Sequence, residues 1–180
     1  MKQFQKKTTL HEFRKTDADY PIQKIVETAM LSGVTSKKAL NQQVKALNDT
    51  NWVVQYWAAI GLKSQTDKAL KKHIKSLKNG LSTEGVHTAT KIVLATVLSE
   101  KLHDSDGKNY LEKTILGDNE NLSWLALQLI LYQKNRADFE GIAQQFLEKS
   151  KTQKGWGKVK TSASMLLYVL GKQAFKSSDE

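Results

Sequence analysis

Apolar residues three and four positions apart can be followed along almost the whole chain, through about nine stretches separated by short polar turns. That spacing gathers the apolar residues of each stretch on one side of a helix. A single proline, Pro21, and ten glycines leave too few chain-breakers for an all-β fold, whose short strands need a turn every ten or so residues. The pattern therefore predicts an all-α fold. At 180 residues the chain has room for one sizeable core and is short for two.

The helices can be placed one by one. Pro21 opens the first, with Ile22, Ile25, Val26, Ala29 and Met30 on one face and Gly33 at its end. Thr35 or Ser36 caps the second, which turns Leu40, Val44 and Leu47 inward. The third lies in "DTNWVVQYWAAIGL" (49–62), with Asp49 or Thr50 as cap and an apolar band of Val53, Val54, Trp57, Ile60 and Gly61. A fourth carries Leu70, Ile74 and Leu77 and closes at Gly80; a fifth opens on a Ser/Thr cap near Glu84 and is apolar on several sides. Four more fall near 107–116, 120–133, 137–149 and 157–172. Short linkers rich in Asn, Asp, Ser and Gly join them, as antiparallel neighbours require.

The stretches "ALNDTNWVVQYWAAIGL", "SLKNGLSTEGVHTATKIVL" and "ILGDNENLSWLALQLIL" share a plan. In each, an aliphatic helix end leads through a polar turn into a strongly apolar helix. Their offsets of roughly 30 to 40 residues suit two-helix repeats that bury their apolar faces against each other. The expected architecture is a right-handed α-solenoid of about four HEAT-like helical hairpins over 17–174, between a flexible arm (1–16) and a disordered end (175–180). In such a stack Ala58 and Ala59 permit close approach and Trp57 fills volume, so Trp57→Ala is expected to unfold the chain. Trp52, at the start of its helix, is expected to stay partly exposed.

The residues "NDTNWVVQYWAAIGL" resemble the HEAT-repeat pattern, and more specifically the repeats that follow the catalytic domain in many bacterial sulfatases of the alkaline-phosphatase-like superfamily. There a helix commonly reads Val-Arg-Tyr-Trp-Ala-Ala-x-Gly-Leu; this chain has Val54-Gln55-Tyr56-Trp57-Ala58-Ala59-Ile60-Gly61-Leu62, with Gln55 in place of the arginine. "DYPIQKIVETAMLSG" is similar to the Tyr-Pro-led helix that introduces those repeats, and "GDNENLSWLALQLIL" to a later repeat helix. The resemblance spans about residues 17–172 and is specific in 20–33 and 49–62. It implies a non-catalytic interaction module that packs on a catalytic domain in cis or on a protein partner. The Cys/Ser-x-Pro-x-Arg motif from which sulfatases make formylglycine is absent, since the chain has no cysteine and its one proline follows Tyr20. Trp52 and Gln55 are the first candidate contacts, and the lysine face over 68–78, with Lys68, Lys71, Lys72 and Lys75, is the second.

Other chemistry is thinly represented. His11, His73, His87 and His103 include no i, i+4 pair. His103, Asp104 and Asp106 can be drawn as a metal site, but Asp and Ser at a helix end more simply satisfy backbone groups. "GDNEN" (117–121) lacks the ligand spacing of a calcium loop and reads as a turn with a helix cap. "GWG" (155–157) reads as a mobile connection, and Asn48 and Asn121 begin sequons. No catalytic residue, cofactor or metal is expected.

The net charge of +10 raises the prospect of an anionic partner. Lys68, Lys71, Lys72, Lys75 and Lys78 share one face of the fourth helix; Lys149, Lys151, Lys154, Lys158 and Lys160 cluster around Trp156. They are either solvated helix faces or a polyanion contact in which Trp156 or Trp52 stacks on bases. Against phosphate recognition stands the scarcity of arginine, present only as Arg14 and Arg136. The alternatives to the sulfatase-like module are thus a stand-alone basic HEAT-repeat protein that binds nucleic acid, similar to the HEAT-like DNA glycosylases, or a module for sulfated glycans. No apolar run is long enough to span a bilayer, so no membrane insertion is expected. The compartment stays open: periplasmic or secreted as part of a sulfatase, otherwise cytoplasmic.

Overall fold

The structure, a computed structural model, describes residues 21–152 and 155–174. The expected arm (1–16), the expected disordered end (175–180) and Lys154 lie outside the described residues. Ten α-helices are present among those described: α1 Ile22–Met30, α2 Lys37–Ala46, α3 Trp52–Leu62, α4 Asp67–Lys71, α5 Ile74–Ser82, α6 Thr88–Leu102, α7 Ser105–Ile115, α8 Glu120–Leu131, α9 Glu140–Lys149 and α10 Gly157–Val169. The described residues contain no strand.

Most helix starts are fixed by a side chain that accepts the first free N–H groups. Ser36 caps α2, as the sequence predicts. Asn51, rather than Asp49 or Thr50, caps α3, accepting from Val53 and Val54; Asp49 acts one step earlier by accepting from the Asn51 N–H. His87 caps α6 through Nδ1, so that helix begins at Thr88 and not near Glu84. The predicted fourth helix is two, divided at Lys72 and His73. Its second half runs through Gly80 instead of ending there, because Leu94 of α6 packs where a Gly80 side chain would stand.

α3, α6, α8 and α10 pack in that order, with α1 flanking α3; α2 covers α3, α4 and α5 cover α6, α7 sits against both α6 and α8, and α9 covers α10. The buried residues form two clusters that meet on α6. Val93, Leu94, Val97 and Leu98 face Leu40, Ala58, Leu62 and Leu77; Ile92 and Ala95 face Leu111, Ile115, Leu127 and Ile130. Every residue of α6 from Ile92 to Ser99 is buried, which is why this helix is apolar all round.

Two expectations about inner faces change. On α1 only Ile25 and Thr28 are buried, while Ile22, Val26 and Met30 are exposed, because α3 meets this helix along one side. On α3 the inward residues are Val54, Gln55, Ala58, Ala59, Gly61 and Leu62, and Trp57 is half-buried with its ring edge-on to Tyr56. The small residues let α1, α2 and α6 approach α3 together, and that leaves the large ring at the margin.

Candidate interaction surface

Gln55 organises the ground around Trp52. It is 2% exposed, and its Nε2 donates to the carbonyls of Asp49 and Gly85, while its Oε1 accepts from the His87 N–H. All three bonds are 2.7–2.9 Å, so one amide locks the turn before α3 to the turn before α6. The sequence expectation that Gln55 meets a partner is corrected: its polar atoms are already paired inside the fold. Above it, Trp52 is 51% exposed and stacks obliquely on the His87 ring, with centroids 4.7 Å apart. Both rings stand at the first turns of helices that Gln55 ties together, so they form a fixed aromatic pair at the surface. His87 was not singled out in the sequence. Its signal is weak, a histidine one repeat length beyond Trp52.

The lysine face divides with its helix. Lys68, Lys71 and Lys72 belong to α4 and the turn after it and Lys75 to α5; all four are exposed, and none forms an ion pair among the described residues. Lys78 behaves differently. Its ammonium lies 3.1 Å from Asp104 and 2.6 Å from Asp106, and these carboxylates, Asp106 first, raise its pKa above the ordinary lysine value. At Lys63 burial dominates and lowers the pKa, with Glu100 opposing and Lys101 adding to the shift. Burial raises the phenol pKa of Tyr56 and Tyr110.

The described members of the second basic cluster are engaged within the fold. Trp156 takes a left-handed backbone, φ 63°, and lays its half-buried ring 6.0 Å from that of Phe146, so it is a core-facing side chain and not an open stacking platform. Lys158 donates to Asn121 Oδ1 and reaches over the Trp124 ring, joining α10 to α8. Lys149 donates to the Leu116 carbonyl and Lys151 pairs with Glu148. Lys160 is half-buried on α10.

The drawn metal site resolves into helix ends. His103 takes the left-handed position after α6, and Asp104 caps α7 while pairing with Lys78. No group of three or more His, Asp or Glu among the described residues is placed to hold a metal ion. Asn119 caps α8, so "GDNEN" is a turn and a cap. An open groove of about 470 Å³ between α5 and α7 is lined by Lys78, Asp106, Tyr110 and Lys113, and within its lining Lys78 and Asp106 are paired with each other. No helix of the described residues is long and apolar enough to cross a membrane. Comparison with protein-family models, with curated proteins and with solved structures finds no match to this chain.

Proposed function

We propose that this chain is a non-catalytic helical-repeat interaction module: a right-handed α-solenoid of about four HEAT-like hairpins that presents the Trp52–His87 pair to a protein partner or to a catalytic domain in cis. One observation carries the repeat reading. The polar side-chain contacts that join one helical unit to another stay within a bounded span: 22 residues from Gln43 to Gln65, 26 from Lys78 to Asp104, 30 and 32 from Gln55, 31 from Gln65 to Val34, 34 from Lys134 to Glu100, 34 from Gln128 to Ser162, 36 from Asn135 to Ser99 and 37 from Lys158 to Asn121. Contacts of bounded span are what a stack of similar units gives, because each unit meets only the next. A chain folded around one centre would also join residues much further apart in sequence.

The contact reading rests on Trp52. Large aromatic residues held rigid and half open lose little entropy when a partner covers them, and such residues dominate interface energetics. The sulfatase likeness supports the same use, through the residues at 20–33 and 49–62. The test places a photo-crosslinking phenylalanine analogue at position 52 in the native host, and at Tyr132 as an exposed control. A discrete product from position 52, competed away by added unlabelled chain and missing at 132, is the expected result. Equal products from both positions would remove the proposal.

A polyanion reading is kept by a separate observation, the exposed and unpaired ammonium groups of Lys68, Lys71, Lys72 and Lys75. Binding of a single-stranded oligonucleotide or of heparin through that face would fall steeply as salt rises, and competition between the two would identify the preferred polymer.

A further inference from the structure

The division of the predicted fourth helix has opened a cleft. Where the chain turns from α4 to α5, Lys72 and His73 come opposite the beginning of α2, and a cavity of about 240 Å³ lies between them. Its lining includes Lys37, Lys72 and His73, the hydroxyls of Thr35, Ser36 and Thr66, the amides of Asn41 and Gln65, and a floor of Leu40 and Ala69. No carboxylate is among the lining residues. The side chains of Lys37, Lys72 and His73 form no hydrogen bond or ion pair with another described residue, so their donors are open to a ligand. That contrasts with Lys78, Lys149, Lys151 and Lys158, whose ammonium groups are held by other side chains or by the backbone.

Gln65 gives the cleft a second, independent character. It is 3% exposed, and its Nε2 donates to the Val34 carbonyl at 2.7 Å and to Gln43 Oε1 at 2.9 Å. Both partners are acceptors, so the nitrogen must face them and the carbonyl oxygen must face the other way. No donor among the described residues reaches that Oε1, which is not fully occluded. An acceptor that reaches the cleft from a buried amide, without a protein donor and beside cationic donors, suits a ligand that carries both an anion and a hydroxyl.

We infer that the cleft between α2 and α4 binds a small polyol bearing a tetrahedral oxyanion ester, a phosphate or a sulfate. The ester lies between Lys37, Lys72 and His73, with the Ser36 and Thr66 hydroxyls as further donors: each already accepts a backbone N–H and so has its proton to give. A ligand hydroxyl donates to Gln65 Oε1, and Leu40 and Ala69 meet the carbon skeleton of the polyol. This site is separate from the Trp52–His87 pair, and it stands or falls independently of the partner proposed there.

The test is a titration of the full chain with D-glucose 6-phosphate, followed by amide chemical shifts and by calorimetry. D-glucose 6-sulfate, glucose and inorganic phosphate form the comparison arms. Saturable binding is expected, with shifts centred on the Gln65 side chain, Ser36 and His73, and with glucose and inorganic phosphate each at least tenfold weaker than the better ester. The stronger of the two esters names the source. The Lys37→Ala/Lys72→Ala double variant, whose exposed side chains form no hydrogen bond or ion pair with another described residue, is expected to bind at least tenfold more weakly with unchanged thermal unfolding; Lys75→Ala is expected to bind as the parent does. Absence of saturable binding by either ester, or an equal loss in Lys75→Ala, would overturn the inference, the latter because the general positive field would then account for binding.

Discussion

Among the described residues four glutamines are almost fully buried, and they divide the molecule in two. In the N-terminal half, Gln43, Gln55 and Gln65 are each bonded to backbone carbonyls: Gln43 to Leu31, Gln65 to Val34 and Gln55 to Asp49 and Gly85. In the C-terminal half, Gln133 is 1% exposed and neither end of its amide has a partner. The halves are held by different means. Around α2 and α3, buried amides fix how the turns lie on the helices, and Gly61 makes room for one of them, since a Cβ there would stand 2.5 Å from Gln43 Nε2. Around α8, α9 and α10 the work is done by apolar volume: Leu127, Ile130, Phe139, Phe146 and Leu166 are buried together, with Trp156 packed against them. A network of bonded amides tolerates little change of position, whereas a volume-filled core tolerates repacking.

The largest effect expected from this difference is in the volume-filled half. Phe139 is fully buried, and Phe139→Ala should lower the unfolding free energy by about 3–5 kcal/mol in denaturant titration. A loss under about 1 kcal/mol would mean that the cluster is loosely packed. Next comes the contact that joins the halves. A Cβ at Gly107 would meet the Ala95 carbonyl oxygen at 2.7 Å and the Ser99 nitrogen at 2.9 Å, both backbone atoms, so Gly107→Ala should cost about 1–3 kcal/mol or more by pushing α7 from α6. Full stability in that variant would show that the two helices do not touch so closely.

The glutamines themselves supply the sharpest contrast. Gln55→Ala strands two carbonyls and an N–H and should destabilise by about 1–3 kcal/mol, while Gln133→Met removes an unbonded amide and should stabilise by about 1 kcal/mol. Changes of the same sign in both variants would erase the distinction between the halves. Trp52→Ala should move the melting midpoint little, since half the side chain is exposed, while lowering the crosslinking competition described above. The smallest effect concerns Lys78. Its folded pKa is raised by Asp106 and Asp104, so the stability it adds is present in full below the ordinary lysine value and is lost as pH climbs through the raised one. The parent should therefore lose more stability than Lys78→Met in the alkaline range above about 10.5, the value for free lysine, and identical alkaline profiles would contradict the pairing.

The helical class, and most helix bounds to within a few residues, were legible because apolar spacing and capping residues are local signals. Helix α2 with Ser36 and the segment 120–131 show this well. What was not legible depends on partners remote in sequence. Gly80 reads as a helix end until Leu94 of α6 is seen against it, and Gln55 reads as a surface polar residue until the Gly85 carbonyl and His87 N–H arrive from the next turn. Trp57 reads as core because of its size, but neighbours that approach α3 closely select the small residues instead. The lysines of α4 were readable as exposed. The cleft they help to form was not, because it depends on the break at Lys72 and His73 and on Lys37 from another helix.

The central claim, that the chain is a stack of units meeting only their neighbours, is tested most directly by native-state hydrogen exchange in Phe139→Ala. In a stack, weakening one end leaves the far end protected. Protection should fall at Leu127, Ile130 and Ala163 and stay unchanged at Gln43, Ala58 and Leu62. An equal fall at all six amides would mean one indivisible core, and the solenoid reading would be wrong.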